Sequence, residues 1–197
     1  MTTRTSFNLI HLAKSTLKKK LLAYFFTNPE SKRYVREIAK IINVDPTNLS
    51  RVLRDFEAEG IFVSQKQGNE KYFSLNKGYA LYQELKSTVF KTIGAKGAIE
   101  SIVRSLKGIE RAFIYGSYAK SVEHAASDID LCVITHREQF KEDPFLKEIH
   151  TLEKQLGRDI NYTLFTKEEW RAKERSGDSF VTGLLKNKRI ELVNAKD

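Results

Sequence analysis

Apolar residues recur at helical spacing near the start of the chain, at Leu9, Leu12, Leu17, Leu21, Leu22 and Phe25, and Asn28-Pro29 stops the run. Val35, Ile38, Ala39 and Ile42 share one face of a second helix. Asp45 then offers a side-chain oxygen for the first free amides of a third helix, and the fixed φ of Pro46 suits its first position. That helix runs through Leu49, Val52, Leu53 and Phe56 to Gly60, a natural stop. The period then changes. Ile61-Phe62-Val63 and the alternating Lys71-Tyr72-Phe73-Ser74-Leu75 flank Gln67-Gly68-Asn69-Glu70, which predicts a hairpin. Helical spacing returns from Tyr79 to Ile93, and Gly94 and Gly97 mark a boundary between a domain of residues 1–93 and one of residues 94–197.

Past that boundary the pattern predicts a helix around Ala98 to Leu106, a strand from Arg111 to Tyr115 and another from Ile129 to Thr135. A helix from about Pro144 to Leu156, a strand from Ile160 to Phe165, helical segments around Trp170 and a short strand from Ile190 to Val193 follow. Helices and strands alternate, so the whole is an α+β chain whose second domain is α/β.

Composition narrows the class. Of the 197 residues 41% are apolar, enough for real cores, and no apolar run of the length needed to span a membrane occurs. The N-terminus lacks the apolar stretch of a secretory signal, and a single Cys132 excludes an internal disulfide, so a cytoplasmic protein with no membrane association is expected. The net charge of +9 is uneven. Residues 1–93 carry 16 Lys and Arg against 8 Asp and Glu, and the rest is nearly balanced. Base confined to one half is an electrostatic footprint for a polyanion on that half.

Two short helices joined by a tight turn make a helix-turn-helix, whose later helix enters the DNA major groove. Thr47, Asn48, Ser50, Arg51 and Arg54 form the polar face opposite Leu49, Val52, Leu53 and Phe56, and Lys66, Asn69 and Lys71 sit on the hairpin. Arg51 and Arg54 are placed to meet guanine edges or phosphates, and the hairpin residues to meet neighbouring phosphates or the minor groove. The segment from Tyr34 through Arg51-Val52-Leu53 to Glu59-Gly60-Ile61-Phe62 resembles winged-helix transcription repressors, over residues 8–90. That resemblance implies a mainly α domain with a β-hairpin wing, a double-stranded DNA partner and a homodimer reading two half-sites.

In the second half, Ala112-Phe113-Ile114-Tyr115-Gly116-Ser117-Tyr118-Ala119-Lys120 precedes Ser127-Asp128-Ile129-Asp130-Leu131. A strand ending in Gly-Ser and opening a helix exposes backbone amides that phosphate oxygens can approach. Asp128 and Asp130, two apart on a strand, share a face and can hold divalent metal, while Ile129 and Leu131 point into the core. Gly-Ser, ten residues, then Asp-x-Asp resembles the minimal nucleotidyltransferases of the DNA polymerase β superfamily, over about residues 94–194. The resemblance implies a mixed sheet, a nucleoside triphosphate held by Gly116 and Ser117, and Mg²⁺ or Mn²⁺ held by Asp128 and Asp130. It also implies attack of an acceptor hydroxyl on the α-phosphate with pyrophosphate leaving. Such proteins place a third carboxylate on the neighbouring strand; here Asn161 falls at that position. Asp159 has the same parity but lies one pleat repeat away, roughly 6.5–7 Å, so it substitutes only where the strand shifts register or bulges. Lys120 and Arg158 are candidate phosphate contacts weighed against solvated surface, Cys132 reads as a small buried strand residue, and His124 as loop.

The missing third acid favours a DNA-binding transcriptional regulator whose second domain binds Mg-nucleoside triphosphate with weak or absent transfer. The alternatives are an active nucleotidyltransferase acting on a protein, small-molecule or nucleic-acid hydroxyl, in the manner of toxin–antitoxin pairs, and a non-catalytic module for a protein partner.

Overall fold

The structure is a computed structural model describing residues 15–120, 128–136 and 138–194. Leu9, Leu12 and His124 lie outside the described residues. The chain divides into two compact units, one running up to Ala95 with Lys154–Gly157, the other from Lys96 to Glu153 and from Arg158 onwards. No helix among the described residues is long and apolar enough to cross a membrane.

The first described element of the first unit is α1 (Thr16–Thr27), capped by Ser15, whose hydroxyl accepts from Lys18 N at 3.3 Å. A two-residue strand β1 (Arg33–Tyr34) follows, too short to leave any period in the sequence. Next come α2 (Val35–Ile42) and α3 (Pro46–Ala58), joined by Asn43-Val44-Asp45. Asn43 ends α2 in the left-handed region at φ +50°, which its short polar side chain tolerates. Asp45 Oδ1 accepts from Asn48 N at 2.9 Å and Pro46 opens α3. β2 (Phe62–Gln67) and β3 (Glu70–Leu75) form the hairpin around Gly68 at φ +61°, in the sheet order β1-β3-β2, and α4 (Tyr82–Thr92) closes the unit. Phe25, Phe56 and Phe62 are fully buried together; Phe25 meets Phe62 edge-on at 4.8 Å and Phe56 stacks on it at 5.9 Å. Burying each such ring contributes roughly 1.5–3 kcal/mol relative to exposure.

The second unit is a four-stranded mixed sheet flanked by helices. Its order of elements is α5 (Ala95–Ser105), β4 (Ile109–Tyr115), α6 (Gly116–Lys120), β5 (Ile129–Thr135), α7 (Glu142–Leu156), β6 (Ile160–Thr166), α8 (Lys167–Ser176), α9 (Ser179–Lys186) and β7 (Ile190–Val193). Gly97 lies inside α5 and does not break it. The strand order is β6-β5-β4-β7, with β5 and β6 parallel and the other pairs antiparallel. β5, an inner strand between β6 and β4, is buried along nearly its whole length. On one face Phe113, Cys132, Ile134 and Phe165 pack with Trp170 of α8 and Val181 and Leu184 of α9. The start of α9 is fixed by Asp178, whose Oδ1 accepts from Phe180 N and Val181 N, both at 3.1 Å. Asp178 therefore sets where Phe180 stands.

Candidate active site

Strand pairing assembles the site. Tyr115 of β4 lies opposite Asp130 of β5, which lies opposite Asn161 of β6, so the three stand abreast on one sheet face. The β5–β6 register runs through Asp130 and Asn161 without a shift, so the bulge needed to bring Asp159 into line is not there. Asp159 stays ahead of β6, where its carbonyl accepts from Ile129 N at 3.0 Å. Asn161 Nδ2 instead donates to Asp128 Oδ2 at 3.3 Å. Among the described residues no group of three His, Cys, Asp or Glu gathers to hold a metal, consistent with an amide at the third position.

Gly116 is fixed by two constraints. Its φ of +74° is left-handed, and a β-carbon there would overlap the Asp130 carboxylate oxygen and approach its Cγ to 3.1 Å. Glycine thus lets the turn and the carboxylate touch. Ser117 and Lys120 are exposed on α6, Asp128 is exposed and Asp130 half-buried. Burial pushes the Asp130 carboxyl above its ordinary value; the Asn161 amide beside it opposes that rise and the Asp128 charge adds to it. Two carboxylates and an amide oxygen are hard donors of the kind Mg²⁺ takes with substrate phosphates, so the residues present fit that ion.

Arg158 is 8% exposed with its guanidinium 5.9 Å from the Tyr118 ring centre, so the solvated-surface alternative does not hold for it. Cys132 is fully buried and its thiol is pushed up to about 12 by burial, which makes it core. Sequence reasoning missed an open cleft of about 270 Å³ beside Gly116, lined also by Tyr115, Lys120, Phe180, Gly183, Leu184 and Asn187. In the first unit, Thr47, Asn48, Arg51 and Arg54 are exposed on α3 with Ser50 half-buried, and Lys66 and Asn69 are exposed on the hairpin. Lys71 is engaged within its own unit: Nζ lies 2.7 Å from Glu57 Oε2 and 5.3 Å from the Phe73 ring centre.

A strand, a glycine turn and a carboxylate pair on the adjoining strand thus stand together on a mixed sheet. Residues 97–190 match the family model described as nucleotidyltransferase domain. Among solved structures, a mutant of the toxin–antitoxin MntA–HpeT is similar at TM-score 0.37 and 15% identity, covering 50% of this chain and 73% of that one. A toxin–antitoxin structure with AMP-PNP is similar at TM-score 0.36 and 17% identity, covering 51% and 73%. No curated protein matches.

Proposed function

We propose that the second unit seats a metal-bound nucleoside triphosphate and moves its nucleoside monophosphate onto a hydroxyl of a protein, small molecule or nucleic acid. The observation that carries this reading is the contact of Gly116 with Asp130, which puts the phosphate turn and the carboxylate pair in one place. Asp128 and Asp130 would hold Mg²⁺, which supplies charge neutralisation at the phosphates and lowers the pKa of an oxygen bound to it. The backbone of Gly116 and Ser117 binds phosphate oxygens, and the exposed Lys120 adds a cation at the edge. The acceptor oxygen forms a bond to the α-phosphorus, the bond to the bridging oxygen breaks, and pyrophosphate departs. Asn161 cannot accept the hydroxyl proton, so no third carboxylate serves as its base. Transfer is therefore slow.

Incubation with Mg²⁺ and each α-labelled nucleoside triphosphate, with and without cell lysate, tests this. The expected result is label transfer by the wild type, raised about 10²-fold by Asn161→Asp, the lower end of what a positioned general base contributes. Saturable binding with no transfer by either protein would instead leave a nucleotide sensor.

A second reading concerns the first unit. We propose that it is a winged helix that binds double-stranded DNA through α3, as a homodimer on two half-sites, making the chain a transcriptional regulator. The exposed row of Thr47, Asn48, Arg51 and Arg54 above a buried row of Leu49, Val52, Leu53 and Phe56 favours it, together with the basic excess of this half. Arg51→Ala and Arg54→Ala are expected to weaken DNA binding and to flatten its salt dependence by around one unit of slope per lost phosphate contact. Lys71→Ala is expected to change DNA affinity less than Lys66→Ala, since Glu57 already matches its charge. Affinity that is indifferent to salt and to both arginines would point to a protein partner.

A further inference from the structure

We propose that the cleft formed by Tyr115, Gly116, Lys120, Phe180, Gly183 and Asn187 is the base subsite of the nucleotide site, with the base lying against Phe180 over Gly183. The inference rests on the nucleotide reading above and deepens it. The cleft shares Gly116 with the phosphate turn, so a ligand with its phosphates there reaches the cleft with its other end. Three features of the cleft suit a flat aromatic group.

Phe180 remains 42% exposed although it borders a buried cluster, and it meets Tyr115 edge-on at 5.9 Å and Phe165 at 6.3 Å. Those contacts hold the ring in place while one side stays open, as a stacking platform requires. Gly183 sits inside α9, where glycine weakens a helix. A β-carbon added there would meet nothing within 4 Å, so no protein atom demands the glycine. Gly183 therefore leaves open space on this side of α9. Asn187 Nδ2 donates to Gly183 O at 2.8 Å, which leaves Oδ1 as an acceptor for the edge of a base.

The test compares Mg-dependent binding of ATP, GTP, CTP and UTP with that of inorganic tripolyphosphate, which has the phosphates and no base. The wild type should bind at least one nucleotide about tenfold more tightly than tripolyphosphate, in line with one base–aromatic stack. Gly183→Leu, which fills the cleft and favours the helix, should lose that margin while remaining folded by thermal melting, with tripolyphosphate binding persisting. Phe180→Ala should lose most of the margin as a second, independent truncation. A nucleotide bound no more tightly than tripolyphosphate, or a margin kept by Gly183→Leu, overturns the subsite and leaves the phosphate site standing. Binding of neither ligand by the wild type overturns the nucleotide reading itself.

Discussion

Gly116→Ala is expected to abolish Mg-dependent nucleotide binding and to lower the melting temperature of the second unit. Two costs combine. A side chain at φ +74° costs roughly 1–2 kcal/mol in the left-handed region, and each kcal/mol lowers melting by about 4–8 °C in a unit of this size. The new methyl also displaces the Asp130 carboxylate from the turn, and that displacement destroys the site. Gly177→Ala separates the two effects. Gly177 ends α8 at φ +70° with nothing within 4 Å of an added β-carbon, so its alanine variant pays the backbone cost alone. Calorimetric titration alongside melting should show both variants destabilised and only Gly116→Ala unable to bind. Binding within about twofold of wild type in Gly116→Ala, a change of less than half a kcal/mol, would remove the Gly116–Asp130 contact from the mechanism.

The placement of the candidate site's strand-end residues was legible because it is local. Gly116, Ser117, Asp128, Asp130 and the non-acidic Asn161 sit at strand ends, and strand parity alone puts the two aspartates on one face. The same is true of the first unit, where Asp45 and Pro46 start α3 and Val35–Ile42 forms a helix as its apolar spacing requires. The cleft was not legible. Phe180 and Gly183 come from a helix far along the chain, and what brings them beside Tyr115 is the packing of Val181 and Leu184 on Phe113, a tertiary choice that leaves no local trace. Gly97 misled for a related reason: a glycine reads as a break, yet one inside α5 is tolerated when Ala95, Ile99 and Val103 bury the helix. Lys71 shows the limit of counting charge, since only the hairpin register reveals that Glu57 of α3 already holds it.

Asp128→Asn together with Asp130→Asn is expected to reduce Mg-dependent nucleotide affinity by at least about 100-fold, the top of the range for losing a metal site's supporting residues, without unfolding the protein. Asn keeps the shape of Asp, replaces one acceptor oxygen by a donor amide and removes the charge. The sign of the stability effect follows from Asp130. Its folded value is raised by burial and by Asp128, so the unfolded chain gives up this proton more readily. The stability linked to Asp130 is complete below the ordinary carboxyl value and declines as pH rises through the raised one. At neutral pH the ionised pair is a cost that metal offsets, and the double variant should melt at or above the metal-free wild type. Asn161→Asp adds a third negative charge beside the same pair and should melt lower than wild type without Mg²⁺ and recover with it. Melting curves at neutral pH with and without Mg²⁺ decide this. A double variant that still binds nucleotide in a Mg-dependent way, or an Asn161→Asp protein whose melting ignores the ion, would place the metal somewhere other than Asp128 and Asp130.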